Sequence, residues 1–357
     1  MKIKKEEGAL LTFLCVLLLL GGITTVFFPA PQFSPRENRY LSTMPTLTRK
    51  TLLSGEYAKA VDSYVAEHIR TRDAMRQVRT ASELTLGKCV VNGVLICPDG
   101  RLIQLSEENK RTKKQNANAV EKIKSLAAES GLPCSVCILP AQASLSRLLP
   151  SAYPVRQSDA NSALLSLLDN PDYWYRTDHH MTMTGAFALY NYLSHALDYT
   201  PYGMDAFTPI AVSAHFFGTS DAKAGVPFTK PDTITLYRYE GDLDYTVSKE
   251  SLSLNLEGFY DTQKLSTRDG YGVFLGGNHS LLEINKGGYD ERPVLLVIKD
   301  SYANALLPLL ARHYRLIVAD PRYGCPAVST LLTGADRVLV LCGEGTLSSG
   351  FLEGNKI

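Results

Sequence analysis

The chain has 357 residues, of which 45% are apolar and 20% charged, with a formal net charge of +1. That balance excludes a disordered tail, a disulfide-dense mini-domain and a polytopic transporter, and it lacks the strong basic excess of a nucleic-acid binder. One segment departs from the average: residues 9–28, ALLTFLCVLLLLGGITTVFF, carry no charge.

Twenty uncharged residues suffice to cross a hydrocarbon layer of about 30 Å. Lys2, Lys4 and Lys5 precede the run, so residues 1–8 are expected on the cytoplasmic side. A cleaved signal peptide is the competing reading. Pro29 and Pro31 stiffen the chain where a small-residue cleavage site would sit, which favours an uncleaved single-pass anchor. Residues 29–53 then read as a linker, and residues 54–357 as one extracytoplasmic domain.

Within that domain, Tyr57, Val61, Tyr64, Val65 and Ile69 recur at helical spacing, which predicts one amphipathic helix from Ser54 to about Thr80. KCVVNGVLICPDGRLIQL alternates short apolar runs with Asn92-Gly93 and Asp99-Gly100, the pattern of strands joined by tight turns. A helix over about 113–130 leads into the strand SVCILP. Cys134 and Cys137 have CxxC spacing, but they run into a strand rather than opening a helix. Buried free thiols are therefore expected, with a Cys89–Cys97 bridge as an unsupported alternative.

Near residues 227–257, TITLYRY, LDYTVS and LSLNLEG alternate with period two, suggesting an antiparallel β insertion. The last third returns to apolar strands, PVLLVI, RLIVAD and RVLVLC, separated by helical stretches. Such a rhythm indicates an α/β fold with a parallel sheet covered on both faces.

Two segments could carry chemistry. In WYRTDHHMTMTG, residues i and i+2 of an extended chain share a side, so Asp178 could orient His180, with His179 pointing away. Helix capping by Asp178 or a nearby threonine is the commoner use of such residues. No HExxH motif is present and the adjacent histidines are expected to face apart, so no metal site is expected. In LLVIKDSYANALL, Ser301 stands between a buried strand and a helix, at the strand's carboxyl end where open α/β sheets place their sites. A simple N-cap explains it equally well, and the GxSxG elbow of α/β-hydrolases is absent. Gly218 and Asn278 lie in loops and could offer N–H donors to an oxyanion, although turn chemistry accounts for both.

These segments resemble the bacterial DHHW proteins, which are similar to the SGNH-hydrolase-like proteins of alginate and other polysaccharide O-acetylation. The matching stretches include FSPRENRYLSTMP, LLSGEYAKAVDSYVAEHIRTRD, NGVLICPDGRLI, YRTDHHMTMTGA, FFGTSDAKAG, VFLGGNH and LLVIKDSYANALLPLLARHYRLIVADPRYG. The resemblance implies an SGNH-like sheet flanked by helices and a triad of Asp178, His180 and Ser301. Gly218 and Asn278 match the superfamily's glycine and asparagine blocks more loosely. Met181 stands where the family's motif has tryptophan, so His179 and Met181 become candidate substrate contacts.

The implied activity is a membrane-anchored serine acyltransferase or esterase acting on O-acetyl groups of a cell-surface glycan. It would need no soluble cofactor, and a multi-pass membrane O-acyltransferase could supply its donor. A non-catalytic glycan-binding or assembly subunit on the same scaffold is the alternative.

Overall fold

A computed structural model describes residues 8, 11–13, 15–16, 19, 32–34, 39–69, 71–105, 110–288, 290–344 and 347. The expected membrane span at 9–28 lies largely outside them. No helix among the described residues is long and apolar enough to cross a membrane.

Two compact units divide the chain. Residues 1–88 with 225–228 form one, and residues 89–224 with 229–357 form the other. In the first unit, the single helix expected from Ser54 to Thr80 is two helices, α1 (Glu56–His68) and α2 (Arg72–Thr85). Ile69 is extended (φ −65°, ψ 115°), which ends the first helix one turn before the next begins.

The second unit opens with a three-stranded antiparallel meander of β1 (Val90–Val91), β2 (Val94–Ile96) and β3 (Leu102–Gln104). Helix α3 (Lys110–Glu129) then leads into β4 (Cys134–Leu139). After α4 (Ser162–Leu168) and α5 (Met183–Leu197), β5 (Thr208–Phe216) crosses to the short helix α6 (Thr219–Ala224) and to β6 (Asp232–Arg238). The remaining elements are β7 (Tyr245–Lys249), β8 (Leu252–Ser253), β9 (Leu281–Lys286), β10 (Val294–Lys299), α7 (Leu307–Leu310), β11 (Arg315–Ala319), α8 (Val328–Leu332) and β12 (Arg337–Gly343).

The central sheet has seven strands in the order β8-β7-β9-β11-β10-β12-β4. It is mixed, which corrects the expectation of a purely parallel sheet. β11, β10, β12 and β4 run parallel, whereas β9, β7 and β8 extend the sheet antiparallel. The β-rich stretch near 227–257 is accordingly shared between two sheets. β6 pairs with β5 in a separate ribbon, and β7 and β8 join the central sheet through β9.

Of the parallel strands, the central pair β10 and β12 is buried on both faces, and both read as continuous apolar runs. Ala119, Ile123 and Ala127 of α3 pack with Val328 and Leu332 of α8 against Leu296, Ile298, Val338 and Val340. On the other face, Leu189, Leu193 and Leu197 of α5 join Leu306, Leu307 and Leu310 against Leu295, Val297, Leu339 and Leu341. The cysteines among the described residues are free thiols, and no Cys89–Cys97 bridge is formed.

Ile123 is fully buried and Ile210 is 44% exposed. Ile123→Ala should therefore lower unfolding free energy by about 2–5 kcal/mol, against about 0.5 kcal/mol or less for Ile210→Ala, measured by urea denaturation.

Candidate active site

The parallel strands end at one edge of the sheet, where β4 leads to Gln142, β10 to Asp300 and Ser301, and β11 to Asp320. Crevices beyond the carboxyl ends of such strands are the usual site of open α/β folds. The segment carrying Asp178 and His180 comes from outside the sheet. An antiparallel bridge between Trp174 and Met181 pinches it into a loop, and Tyr175 N–H donates to the His180 carbonyl (3.2 Å).

Long-range anchors hold this loop. The buried Arg101 donates to the carbonyls of Pro171 (3.1 Å), Trp174 (3.3 Å) and Tyr175 (3.4 Å). Asp232, at the start of β6, accepts from Arg176 N–H (3.1 Å), Thr177 N–H (2.8 Å) and the Thr177 hydroxyl (2.6 Å). From the end of β4, Gln142 Nε2 donates to the Asp178 carbonyl (3.1 Å).

Asp178 is 1% exposed, and its carboxylate is fully engaged. Oδ1 accepts from His180 N–H (2.9 Å) and His180 Nδ1 (2.5 Å), while Oδ2 accepts from Thr219 N–H (2.6 Å) and the Thr219 hydroxyl (3.0 Å). Burial pushes its pKa up, but the two histidines and the hydrogen bonds from His180 and Thr219 outweigh burial and hold it well below the usual carboxylate range. Because Nδ1 donates to Asp178, the neutral imidazole carries its lone pair on Nε2. That atom is buried and has no hydrogen-bond partner among the described residues. Tyr271 stacks on the imidazole at 3.8 Å with rings 10° apart.

His179 does not point away as expected. The segment bends back through the Asp178–His180 hydrogen bonds instead of running extended, and the two histidine rings lie 3.9 Å apart. His179 Nδ1 donates to the Thr219 hydroxyl (2.7 Å), and burial lowers its pKa to about 4, helped by neighbouring His180. Asp178, His179 and His180 offer ligand atoms within 4.8 Å of one another. Two ligands about 2.1 Å from one tetrahedral ion would stand about 3.4 Å apart. The 2.5 Å contact between Asp178 and His180 is instead a hydrogen-bond distance.

Ser301 opens a single 3-10 turn, Ser301–Ala303, capped by Asp300, whose Oδ1 accepts from Tyr302 N–H (3.0 Å) and Oδ2 from Gly343 N–H (2.8 Å). Tyr271 links the two segments: its ring lies on His180 and its hydroxyl donates to the Ser301 carbonyl (3.4 Å). The Tyr302 ring lies 5.6 Å from that of His180. Tyr271 and Tyr302 thus connect the Ser301 turn to the Asp–His pair, although no hydrogen bond joins the Ser301 hydroxyl to Nε2.

The other expected contacts fall differently. Gly218 N–H already donates to Thr177 Oγ1 (3.1 Å), and a Cβ there would lie 2.2 Å from that of Asp178. Its observed part is to let Asp178 approach the backbone. Asn278 follows Gly276 (φ 72°) and Gly277 (φ 105°), and only glycine adopts the latter φ readily. Its Oδ1 accepts from Asn304 Nδ2 (3.2 Å) and Lys299 Nζ (3.4 Å). Met181 is fully buried and bridged to Trp174, so it faces the core and not a substrate. The sequence reading missed Arg101, Gln142, Thr219, Asp232, Tyr271 and Lys299. Gln142 and Lys299 had a usable signal, since each lies at the carboxyl end of an apolar strand.

Fold and site define an α/β protein with an Asp–His pair at the carboxyl edge of its sheet. The DHHW protein family model matches residues 163–319 of the chain. It is similar to the crystal structure of a DHHW family protein from Eubacterium siraeum, with TM-score 0.60 and 20% identity, covering 75% of this chain and 97% of that one. It is also similar to Bacillus cereus PatB1 with a sulfonyl adduct, at TM-score 0.58 and 18% identity, covering 72% and 97%. A second PatB1 structure matches at TM-score 0.55 and 16% identity, covering 73% and 99%. At these identities the likeness establishes a shared fold. No curated protein sequence matches the chain.

Gly218→Ala should cost about 1–3 kcal/mol of stability, because the new methyl cannot fit beside Asp178. The folded-state pKa of Asp178 lies below an unfolded value near 3.9. Its stabilisation is therefore complete above about pH 4 and is lost as pH falls further. The urea midpoint of wild type should drop more between pH 7 and pH 3 than that of Asp178→Asn, and equal drops would contradict this.

Proposed function

We propose that the chain is an SGNH-like serine acyltransferase or esterase that works on O-acetyl groups of a cell-surface polysaccharide. The observation that carries this reading is His180. Its Nδ1 is bound to a buried carboxylate, its Nε2 is buried and unpartnered among the described residues, and Tyr271 and Tyr302 connect its ring to the Ser301 turn. In a serine acyl-transfer site the base needs this state, with one nitrogen fixed and the other free for the nucleophile's proton.

Ser301 Oγ attacks the acyl carbonyl carbon while Nε2 takes the hydroxyl proton. Asp178 stabilises the resulting imidazolium and fixes its orientation. Collapse of the tetrahedral intermediate expels the alkoxide of the donor, which receives the proton from Nε2, and leaves acyl-Ser301. Water or a sugar hydroxyl then attacks the acyl carbon while Nε2 takes its proton; collapse breaks the bond to Ser301 Oγ, which recovers that proton from Nε2, completing hydrolysis or transfer. Asn278 is the candidate side-chain donor to the oxyanion: its Oδ1 is held by Lys299 and Asn304, and its amide N–H pair has no acceptor among the described residues. Half-buried His179, next to His180, is the candidate substrate contact.

The substrate class follows from the DHHW resemblance, as does a multi-pass membrane O-acyltransferase as donor. The apolar run at residues 9–28 would hold the site at the outer face of the cytoplasmic membrane. The missing Ser301–His180 hydrogen bond favours a second reading, a glycan-binding subunit on the same scaffold. Such contacts often tighten only when substrate binds.

A fluorogenic acetyl ester and an aryl sulfonyl fluoride separate the two readings. Ser301→Ala, His180→Ala and Asp178→Asn should each lower kcat by about 10³-fold or more. Sulfonylation should map to Ser301 and vanish in Ser301→Ala. Persistent labelling of that variant would discard Ser301 as nucleophile. An inert protein that still binds glycan would establish the second reading.

A further inference from the structure

Beneath the Ser301 turn lies a charge that the acyl-transfer steps leave unused. Lys299 is 1% exposed although it ends the otherwise apolar strand β10. Its ammonium has three N–H donors, and three acceptors surround it: Asn304 Oδ1 (2.7 Å), Asn278 Oδ1 (3.4 Å) and Asp320 Oδ2 (3.5 Å). Asp320 is also buried and is paired with Arg322 (2.7 Å). Asn304 closes the network by donating Nδ2 to Asn278 Oδ1, and its backbone N–H donates to the Ser301 carbonyl (3.2 Å).

This arrangement decides which end of the Asn278 amide faces inward. Two donors converge on Oδ1, so the amide nitrogen is turned away from them. A buried lysine is a costly way to hold two asparagines, since desolvation opposes its charge. A structural role alone would be filled as well by an apolar side chain of similar volume.

We propose that Lys299 is a positioning residue: it locks the Asn278 side-chain amide so that its N–H groups are presented to the acyl oxygen formed at Ser301. The proposal rests on the acyl-transfer reading above and adds a residue to its machinery. It also predicts sensitivity to pH. The charged and titratable groups around Nζ are Asp320, Arg322 behind it, Asp300 and the half-buried His279. Burial lowers the Lys299 pKa to about 8 against the pull of Asp320. Loss of the proton leaves two N–H donors for three acceptors, and the hold on Asn278 loosens. His279 cannot give the same signal, because burial places its titration below the ordinary histidine value.

The test uses the full chain labelled with ¹⁵N-asparagine, with the Asn278 side-chain signals assigned through Asn278→Ala. In wild type those signals should move with a midpoint near pH 8, and in Lys299→Met they should be displaced and insensitive to pH in that range. In the acetyl-ester assay, Lys299→Met should lower kcat about tenfold with KM unchanged, a fraction of the loss from deleting an oxyanion donor. Lys299→Arg, which keeps the charge, should recover part of that loss. In the Asn278→Ala background, Lys299→Met should cost little more, because both changes remove the same interaction.

Asn278 signals indifferent to pH and to Lys299→Met would overturn the proposal. So would a tenfold loss that persists in the Asn278→Ala background. Should Ser301→Ala turn over ester as fast as wild type, the acyl-transfer reading fails instead, and with it the oxyanion role. The amide signals would still report whether Lys299 sets the amide. Since the titration is read in wild type, a variant that fails to fold does not remove the test.

Discussion

A carboxylate buried in protein must be given back the hydrogen bonds it had in water, and Asp178 imposes that constraint on the whole site. Its oxygens are met by His180 N–H, His180 Nδ1, Thr219 N–H and the Thr219 hydroxyl. Each donor requires support. Thr219 reaches the carboxylate because Gly218 has no Cβ, and Gly218 is steered by Thr177, which Asp232 grips from the β6 strand. Arg101 and Gln142 fix the loop's own carbonyls. The Asp178–His180 pair is therefore the centre of a satisfied polar network, and breaking one support would leave another group unpaired.

A second buried charge system lies on the Ser301 side. Lys299, Asp320, Arg322 and the two asparagines occupy the ends of β10 and β11, the place where parallel strands stop and their carbonyls and following turns need partners. The two networks carry opposite tasks. Around Asp178, donors converge on an anion and leave a basic nitrogen free. Around Lys299, acceptors converge on a cation and leave amide N–H groups free. Ser301 belongs to the turn between them, and Tyr271 touches both sides through its ring and its hydroxyl.

Much of this was legible because it was local. The four parallel strands follow from unbroken apolar runs, and the Asp178–His180 pairing from a spacing of two residues. The chain there is bent, not extended, so the same spacing leaves His179 beside His180. What escaped the sequence is non-local. Asp232 lies 55 residues from Thr177, and Gln142 lies 36 from Asp178, so no spacing rule connects them. β9 carries no sign of its direction, and its alternating pattern did not reveal that β7 and β8 would extend the central sheet instead of forming an insertion. A charge after an apolar strand usually marks exposure, whereas Lys299 is buried.

Met181 shows how a motif's letter can mislead about its role. Standing where the family's motif has tryptophan, it reads in the sequence as a candidate substrate contact. In the structure Met181 is an interior residue paired across the loop with Trp174, the single tryptophan of the chain. The bulk needed to pinch the loop is supplied from the opposite strand position. Trp174 Nε1 donates to the Leu168 carbonyl (2.9 Å) and its ring meets Tyr302 edge-on at 6.3 Å. A flexible thioether fills the space left over, a role that suits methionine. The aromatic surfaces beside His180 are those of Tyr271 and Tyr302, supplied by segments far along the chain. The departure at position 181 therefore alters how the loop is packed, and it leaves the imidazole, its carboxylate and the serine turn intact.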